Sequence, residues 1–234
     1  MSLENTTNFP VSEQAYRALR RAIVRCEFVP DERLRVDDIS TRYGFSSSPV
    51  REALARLAEQ GFVRSIENRG FRVAPITSEG IVDLTRVRLL IETDALRAAI
   101  DNGDDQWEEG IVAAAHSLRL AEQRLAEGPI ALDEAWSERH RAFHMALYAA
   151  CQSPLMLNLI EQLSDNAERY RRYSARFRTV SRKKNQEHQQ LMKAVLERDK
   201  RTAVTLLRKH IVGTERGVLE SAQFMNASNQ KKTA

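Results

Sequence analysis

Apolar residues recur at helical spacing along most of this chain, and the main exception is a short stretch near residue 70. From Ser12, which we expect to cap the first helix, apolar positions recur every three or four residues. A short second helix fits VDDISTRYG. A third fits PVREALARLAEQ, with Ser48 as its N-cap, Pro49 at its first position and Gly61 at its end.

The stretch FVRSIENRGFRVAPI predicts two strands around a turn at Asn68-Arg69-Gly70. No strand pattern returns after Pro75, and long amphipathic helices follow, predicted near 78–102, 106–127, 132–151, 153–175, 179–198 and 200–222. Short connections between them favour an antiparallel bundle. We therefore expect a mainly α protein, with an N-terminal winged helix-turn-helix over 12–75, a C-terminal all-helical bundle over 78–222, and flexible ends at 1–11 and 223–234.

Length and composition restrict the possible classes of protein without identifying one. The chain has 234 residues, 42% of them hydrophobic, and a net charge of +4. That length suits two small domains, and no apolar run is long enough to span a membrane. With a polar start and no secretory signal, a cytoplasmic protein is expected. Cys26 and Cys151 are interpreted as small buried hydrophobes. Positive and negative charges are too evenly balanced to establish nucleic-acid binding, so the positions of the charged residues must decide that question.

A helix-turn-helix presents the start of its second helix to the DNA major groove, and a β-wing reaches the backbone or the minor groove. Serines at a helix amino end suit a phosphate, and an arginine one turn further in can contact guanine. We expect DNA contacts from Ser46, Ser47, Ser48, Arg51, Asn68, Arg69 and Arg72. The residues alone leave an alternative open, because Ser-Pro is a common helix cap and a surface arginine is commonly only solvated.

Three strings in this segment, RRAIVRCEFVPDERL, SSSPVREALARLAEQGFV and NRGFRV, carry a resemblance. Together they resemble the winged helix of the GntR family of bacterial transcription regulators, which implies binding to double-stranded operator DNA. Two positions depart from the family pattern, since Ser47 stands where the family commonly has Arg and Asp31 where it usually has Gly. The resemblance therefore leaves Arg51 as the principal DNA-contacting residue.

Histidines form the main candidate site of the second half. His140 and His144 are four residues apart, which places their Cβ atoms about 5–6 Å apart on one helix face, so that both can reach one metal ion. They share an apolar stripe with Trp136 and therefore point inward. His188 and His210 lie among apolar positions of later helices. Buried imidazoles need a metal, a carboxylate ligand or polar neighbours, although each can also be an ordinary core histidine.

The strings RVRLLIE, RAFHMAL, EHQQLMKAV and RKHI are similar to the FCD effector domain of the FadR-type GntR branch. The resemblance implies a metal site at His140, His144, His188 and His210, with His140 where the family usually has Asp. Three arrangements stay open: a four-imidazole site, a three-histidine site with His140 turned to the ligand, and a metal-free pocket. The ion would be divalent, such as Zn or Ni.

The resemblance also implies that Arg88 helps to hold an acidic effector, while a surface ion pair with Glu92 is the alternative. The string DEAWSERHRAFHMALYAACQS is similar to members that sense short dicarboxylates such as glutarate. The basic run from Arg169 to Arg178 can edge the pocket or contact DNA or a partner, and a solvated basic face is the interpretation we favour.

These observations predict a homodimeric transcription repressor released from DNA by a small carboxylate effector held at a histidine-rich pocket. Dimerisation is expected because one helix-turn-helix makes too few base contacts. The alternative from another class is a metal-dependent enzyme built in a helical bundle. Against it, Arg141 stands where a zincin has its catalytic Glu, and Glu-x-x-His pairs are absent. A nucleic-acid protein without a ligand is a third alternative.

Overall fold

The computed structural model describes residues 9–67, 69–124, 133–177 and 185–230, without the side chains of 185 and 222–230. It divides the chain into two compact units, residues 1–76 and 77–234. The predicted flexibility of residues 1–8 and 231–234, and the predicted DNA contact of Asn68, lie outside the described residues.

The first unit combines helices with a small antiparallel sheet. Its elements are α1 (Val11–Val24), β1 (Arg33–Leu34), α2 (Val36–Tyr43), α3 (Ser47–Glu59), β2 (Val63–Ile66) and β3 (Gly70–Val73). The sheet has the order β1-β3-β2, with Val63 opposite Val73 and Leu34 opposite Phe71. The apolar faces of α1 and α3 meet in a core that includes the fully buried Leu19. This packing fixes the orientation of α3 and the hairpin, which are the predicted DNA-contacting elements.

Two helix starts differ from the prediction. The first helix begins at Val11 after Pro10, so Ser12 is not its cap, and α3 begins at Ser47 with Ser46 as its N-cap. Pro49 is therefore the third helical residue. Proline is tolerated there because the first-turn N–H groups have no partner inside the helix. The strand β1 was not predicted, because two residues are too short to show an alternating pattern.

The backbone of Asp31 explains one departure from the family pattern. Asp31 has a φ of 64°, in the left-handed region that glycine adopts without strain. Its carboxylate pairs with Arg64 at 2.9 Å, and its carbonyl accepts a 2.6 Å hydrogen bond from Arg72. The turn thus keeps the conformation of the family's glycine and is tied to both strands of the hairpin.

The second unit is helical throughout its described residues. Its elements are α4 (Ser78–Asn102), α5 (Asp105–Arg124), α6 (Glu134–Tyr148), α7 (Pro154–Ala175), α8 (Asn185–Leu196) and α9 (Lys200–Gln230). Side chains cap five of these helices. Thr77, Asp104, Asp133, Ser153 and Asp199 accept hydrogen bonds from the backbone N–H groups of Gly80, Trp107, Trp136, Met156 and Thr202.

The helix bounds differ from prediction mainly at their ends. The expected ends near 127, 132 and 179 lie outside the described residues. The helix α6 stops at Tyr148 instead of reaching Cys151, and α9 continues to Gln230 instead of ending at 222. Both cysteines are buried, as predicted. Among the described residues, no helix is long and apolar enough to cross a membrane.

Candidate metal and effector site

Three helices of the second unit bring four histidines together. His140 and His144 come from α6, His188 from α8 and His210 from α9, and each is at most 7% exposed. One ring nitrogen of each lies within 4.8 Å of one from every other, and the ring centroids are 4.6 to 5.7 Å apart. We call these four residues the histidine cluster. The structure therefore brings together all four of the predicted metal ligands.

The chemistry of the histidine cluster fits a divalent metal ion. Both ring nitrogens of His144 and of His188 are buried without a hydrogen-bond partner. Burial, followed by nearby positive charge, holds the pKa of His140 and of His144 well below the usual value, so both rings are neutral. Zinc binds imidazole nitrogen at about 2.0–2.1 Å in a tetrahedral arrangement, so its ligand nitrogens lie about 3.3–3.4 Å apart. Ligation would draw the most distant of these nitrogens together by about 1–1.5 Å.

Two carboxylates, neither predicted as part of the site, lie beside the cluster. Glu122 Oε1 is 3.5 Å from Nδ1 of His188, and Glu187 Oε2 is 3.5 Å from Nδ1 of His210. A carboxylate hydrogen-bonded to one ring nitrogen of a metal-bound histidine fixes the tautomer and the orientation of the ring. The Glu122 contact is longer than such a bond, and Nδ1 of His188 has no hydrogen-bond partner in this structure. If the two rings moved to bind a metal ion through Nε2, these carboxylates would be close enough to accept from Nδ1.

The environment of His140 differs from that of the other three histidines. Arg171 Nη1 lies 2.9 Å from Nδ1 of His140 and 3.5 Å from its Nε2. Because a guanidinium only donates, Nδ1 must accept, and the single ring proton of the neutral imidazole then sits on Nε2. In this arrangement His140 has no lone pair left for a metal. The geometry therefore favours the three-histidine arrangement among the three considered above.

The basic run of α7 is not the solvated face that we expected. Arg169 and Arg172 are 2% and 6% exposed. Arg172 bonds Glu168 and Glu134, each at 2.7 Å. Arg171 also pairs with Glu168. For Arg169, Arg171 and Arg172 the interpretation was wrong, because α7 turns them toward the bundle, and Glu168 of the same helix and Glu134 of α6 partner Arg171 and Arg172. Arg176 is exposed, and Arg178 lies outside the described residues.

Arg88 forms the predicted ion pair with Glu92, but inside the protein rather than on its surface. The bonds from Arg88 Nε and Nη2 to the carboxylate are 2.5 and 3.2 Å, and Tyr148 donates a third of 2.7 Å. Burial is the largest single influence and acts to lower the pKa of Arg88, but the charge of Glu92 and its hydrogen bonds, with a further contribution from Tyr148, together outweigh it and the pKa is raised. Arg88 is therefore a permanent cation held by a protein carboxylate, and its predicted contact with an effector stays a prediction.

A groove of about 670 Å³ between α5 and α8 leads to the edge of the histidine cluster. Glu122 and His188 line it, together with Glu197 and the apolar Met192. The fifth histidine, His116, also lies along this groove, is exposed and contacts Arg119 at 2.9 Å. The groove thus connects solvent with the Glu122 and His188 side of the cluster.

The predicted DNA-contacting residues of the first unit lie on its surface wherever they are described. Ser46, Ser47, Ser48 and Arg51 are exposed at the amino end of α3. Arg69 is exposed at the hairpin turn, while Arg72 is exposed but donates to the Asp31 carbonyl. A helix amino end with free backbone N–H groups and a nearby basic hairpin can hold DNA phosphates.

An exposed helix-turn-helix with a wing, joined in one chain to a helical bundle with a buried polar cluster, defines the class of winged-helix regulators that carry a sensory domain. The chain belongs to the gntR family of bacterial regulatory proteins, whose domain matches residues 11–73, and it carries an FCD domain over residues 83–213.

Relatives of this chain are regulators. It is 37% identical over 205 residues to the HTH-type transcriptional repressor GlaR of Escherichia coli strain K12, covering 86% of this chain and 92% of GlaR. It is 35% identical over 199 residues to the HTH-type transcriptional regulator BphR of Paraburkholderia xenovorans strain LB400, covering 85% of this chain and 81% of BphR. These similarities identify the chain as a transcription regulator, and they do not support the enzyme alternative.

Solved structures share the fold. Escherichia coli McbR/YncC superposes with a TM-score of 0.75 at 21% identity, covering 93% of this chain and 99% of that one. A GntR-family regulator from Pseudomonas syringae pv. tomato strain DC3000 superposes with a TM-score of 0.57 at 26% identity, covering 94% and 89%. The N-terminal winged helix and the C-terminal helical domain are thus the architecture of known regulators.

Proposed function

We propose that this protein is a homodimeric repressor that leaves its operator when a small carboxylate binds at the histidine cluster. The observation that carries the proposal is the convergence of four buried histidines from three helices in the unit that does not contain the winged helix. Buried polar groups without partners are costly, so a helical domain that gathers them is built to receive a ligand.

His144, His188 and His210 would hold a divalent ion, with Glu122 and Glu187 orienting two of the rings. Bound there, the ion supplies positive charge and open coordination positions to an anionic ligand. The three imidazole ligands bring no negative charge to the ion, and the carboxylates of Glu122 and Glu187 would face the rings at Nδ1. A carboxylate is therefore favoured over a neutral metabolite of the same shape.

DNA binding would use Ser46, Ser47, Ser48 and Arg51 at the start of α3 and Arg69 in the wing, with Asn68 and Arg72 beside it. A homodimer would present two such heads to two half-sites. Effector binding would shift the dimer between arrangements that differ in the spacing of the heads. The operator affinity changes only as far as the effector discriminates between those arrangements.

Operator binding tests the proposal most directly. The full-length protein is mixed with sheared genomic DNA of its host, and the retained fragments are sequenced and used as labelled probes in fluorescence anisotropy. We expect a two-fold symmetric site whose binding weakens with salt. Arg51→Ala should lower the affinity about 10–100-fold, the loss of one arginine that contacts a guanine edge or a phosphate. The exposed Arg208→Ala, on α9, serves as the control and should leave it unchanged.

A short carboxylate, with succinate and glutarate as probes, should then weaken the affinity of the wild-type protein for that site. Binding to all fragments without sequence preference would refute the regulator's predicted operator recognition. Specific binding that neither acid alters, in protein loaded with zinc, would refute its control by a carboxylate.

A further inference from the structure

Arg171 is a buried cation whose hydrogen bonds are incompletely satisfied. Its side chain is 12% exposed, and its Nε is buried without a hydrogen-bond partner. One Nη donates to a neutral imidazole, His140, and the other pairs with Glu168. Since a guanidinium has five N–H donors in a planar fork, this arrangement leaves it able to accept a further anionic partner.

The carboxylate that pairs with Arg171 is not bound by Arg171 alone. This partner, Glu168, is shared with Arg172, to which it is bonded at 2.7 Å, and Arg172 also bonds Glu134 at 2.7 Å. The pairing with His140 brings no negative charge, and a hydrogen bond to a carboxylate is roughly twice as strong as one between neutral groups. Arg88 is in the opposite position, because Glu92 already occupies two of its donors. Of Arg88 and Arg171, Arg171 is therefore the one with a buried, unpartnered hydrogen-bond donor left for an anionic ligand.

The position of Arg171 places that anion beside the histidine cluster. The guanidinium touches His140, whose ring is 4.6 Å from that of His144 and 5.1 Å from that of His188, centroid to centroid. It also lies 5.9 Å from the ring centroid of Trp136, whose indole N–H is buried without a hydrogen-bond partner. The rings of His140 and Trp136, the unpartnered indole N–H and the guanidinium of Arg171 thus lie close together beside the histidine cluster.

We propose that Arg171 is the residue that binds the effector's carboxylate, and that His140 is the partner it holds while the effector is absent. The ligand class is a short-chain organic acid, whose carboxylate replaces Nδ1 of His140 as the acceptor for the guanidinium. This proposal rests on the proposed function, since it names the anchor of the ligand at that same site.

The exchange has a consequence for His140. When Arg171 turns to the carboxylate, Nδ1 of His140 loses its donor, and the ring regains the freedom to present a lone pair to the cluster. His140 would then complete the group of four imidazoles. Arg171 thereby couples effector binding to the fourth imidazole. The three-histidine arrangement would be the state without effector, and the four-imidazole arrangement the state with effector bound.

Isothermal titration of the full-length, zinc-loaded protein tests the assignment, with succinate as the charged probe and succinamide as its neutral analogue. Arg171→Gln removes the charge and retains some hydrogen bonding, while Arg171→Lys keeps the charge but loses the planar fork. Arg139→Gln is the matched control, since it removes the cation next to His140 in the sequence, which donates to the Ala135 carbonyl. Circular dichroism and metal analysis establish that each variant is folded and loaded.

We expect Arg171→Gln to weaken succinate binding about 10–100-fold, as for loss of a charge-assisted bidentate pair, with a smaller loss in Arg171→Lys. The preference for succinate over succinamide should collapse in Arg171→Gln alone. Should Arg171→Gln not fold, the smaller loss in Arg171→Lys, absent from Arg139→Gln, carries the test.

Succinate and glutarate affinities of the folded Arg171 variants equal to wild type would overturn the assignment and leave the proposed function standing. A wild-type protein that binds its operator but neither acid would refute both the assignment and the carboxylate control.

Discussion

Removal of Glu92 tests whether Arg88 is a structural cation or an effector contact. The Glu92 side chain is 1% exposed and accepts three hydrogen bonds, two from Arg88 and one from Tyr148. Glu92→Ala removes the negative charge and leaves the guanidinium buried, with its side chain only 11% exposed. Such an uncompensated charge costs about 3–5 kcal/mol, a large part of the 5–15 kcal/mol that holds a typical domain folded.

The loss of stability expected for Glu92→Ala can be divided into the cost of the unpaired charge and the cost of the lost hydrogen bonds. Tyr148→Phe removes one hydrogen bond to a carboxylate and should cost about 1.5–3 kcal/mol, less than Glu92→Ala. The double variant Arg88→Met with Glu92→Leu replaces the ion pair with apolar side chains of similar length. It should recover most of the loss, because a buried ion pair gains little over a well-packed apolar pair. The remaining deficit is the unpaired Tyr148 hydroxyl, about 1–3 kcal/mol.

Urea unfolding followed by circular dichroism measures these differences, at one protein concentration because a dimer's stability depends on it. The expected order of stability is wild type, then the double variant and Tyr148→Phe, then Glu92→Ala. A double variant as unstable as Glu92→Ala would show that the buried charge is not the cause. Succinate titration of the double variant then decides the role of Arg88: unchanged affinity assigns it to structure, and a loss of 10-fold or more assigns it to the effector.

Three further predictions concern the metal and the DNA. His144→Ala should lose bound divalent metal in elemental analysis while His140→Ala keeps it, and equal loss in both would contradict the three-histidine arrangement. Glu122→Gln should weaken zinc binding about 10–100-fold in competition with a chelator, as for other residues that orient metal ligands, whereas the exposed Glu197→Gln in the same groove should not. In anisotropy, Arg51→Ala should also flatten the salt dependence of operator binding; an unchanged slope would mean that Arg51 contacts no phosphate.

The convergence of the histidines could be predicted from the sequence because each lies on the apolar face of its own helix. The stripe of α6 carries His140 and His144 beside Trp136 and Phe143, and all four are buried. Periodicity determines which face of a helix is buried, and a shared core then brings the inward residues of neighbouring helices together. Periodicity cannot show which side chains touch, so the hydrogen bond from Arg171 to His140 could be identified only in the structure.

Arg171 and Glu122 were missed, although the same signal was available for both. On α7, Ile160 and Ala167 are buried and Arg171 follows four residues later; on α5, Leu118 is buried and Glu122 follows four residues later. Both charged residues therefore continue an apolar stripe. Charge alone suggested solvent, but spacing from buried neighbours predicts burial, and a charge on a buried stripe must meet a partner.

The replacement of the family's Asp by His140 and the position of Arg171 are best understood together. A carboxylate at position 140 would pair with Arg171 as Glu92 pairs with Arg88, and the guanidinium would then be neutralised by the protein itself. The neutral ring of His140 instead holds Arg171 in place without cancelling its charge. Under the proposal for Arg171, the guanidinium would thus stay available to a carboxylate ligand, and the residue type at position 140 would contribute to selectivity for an anionic effector.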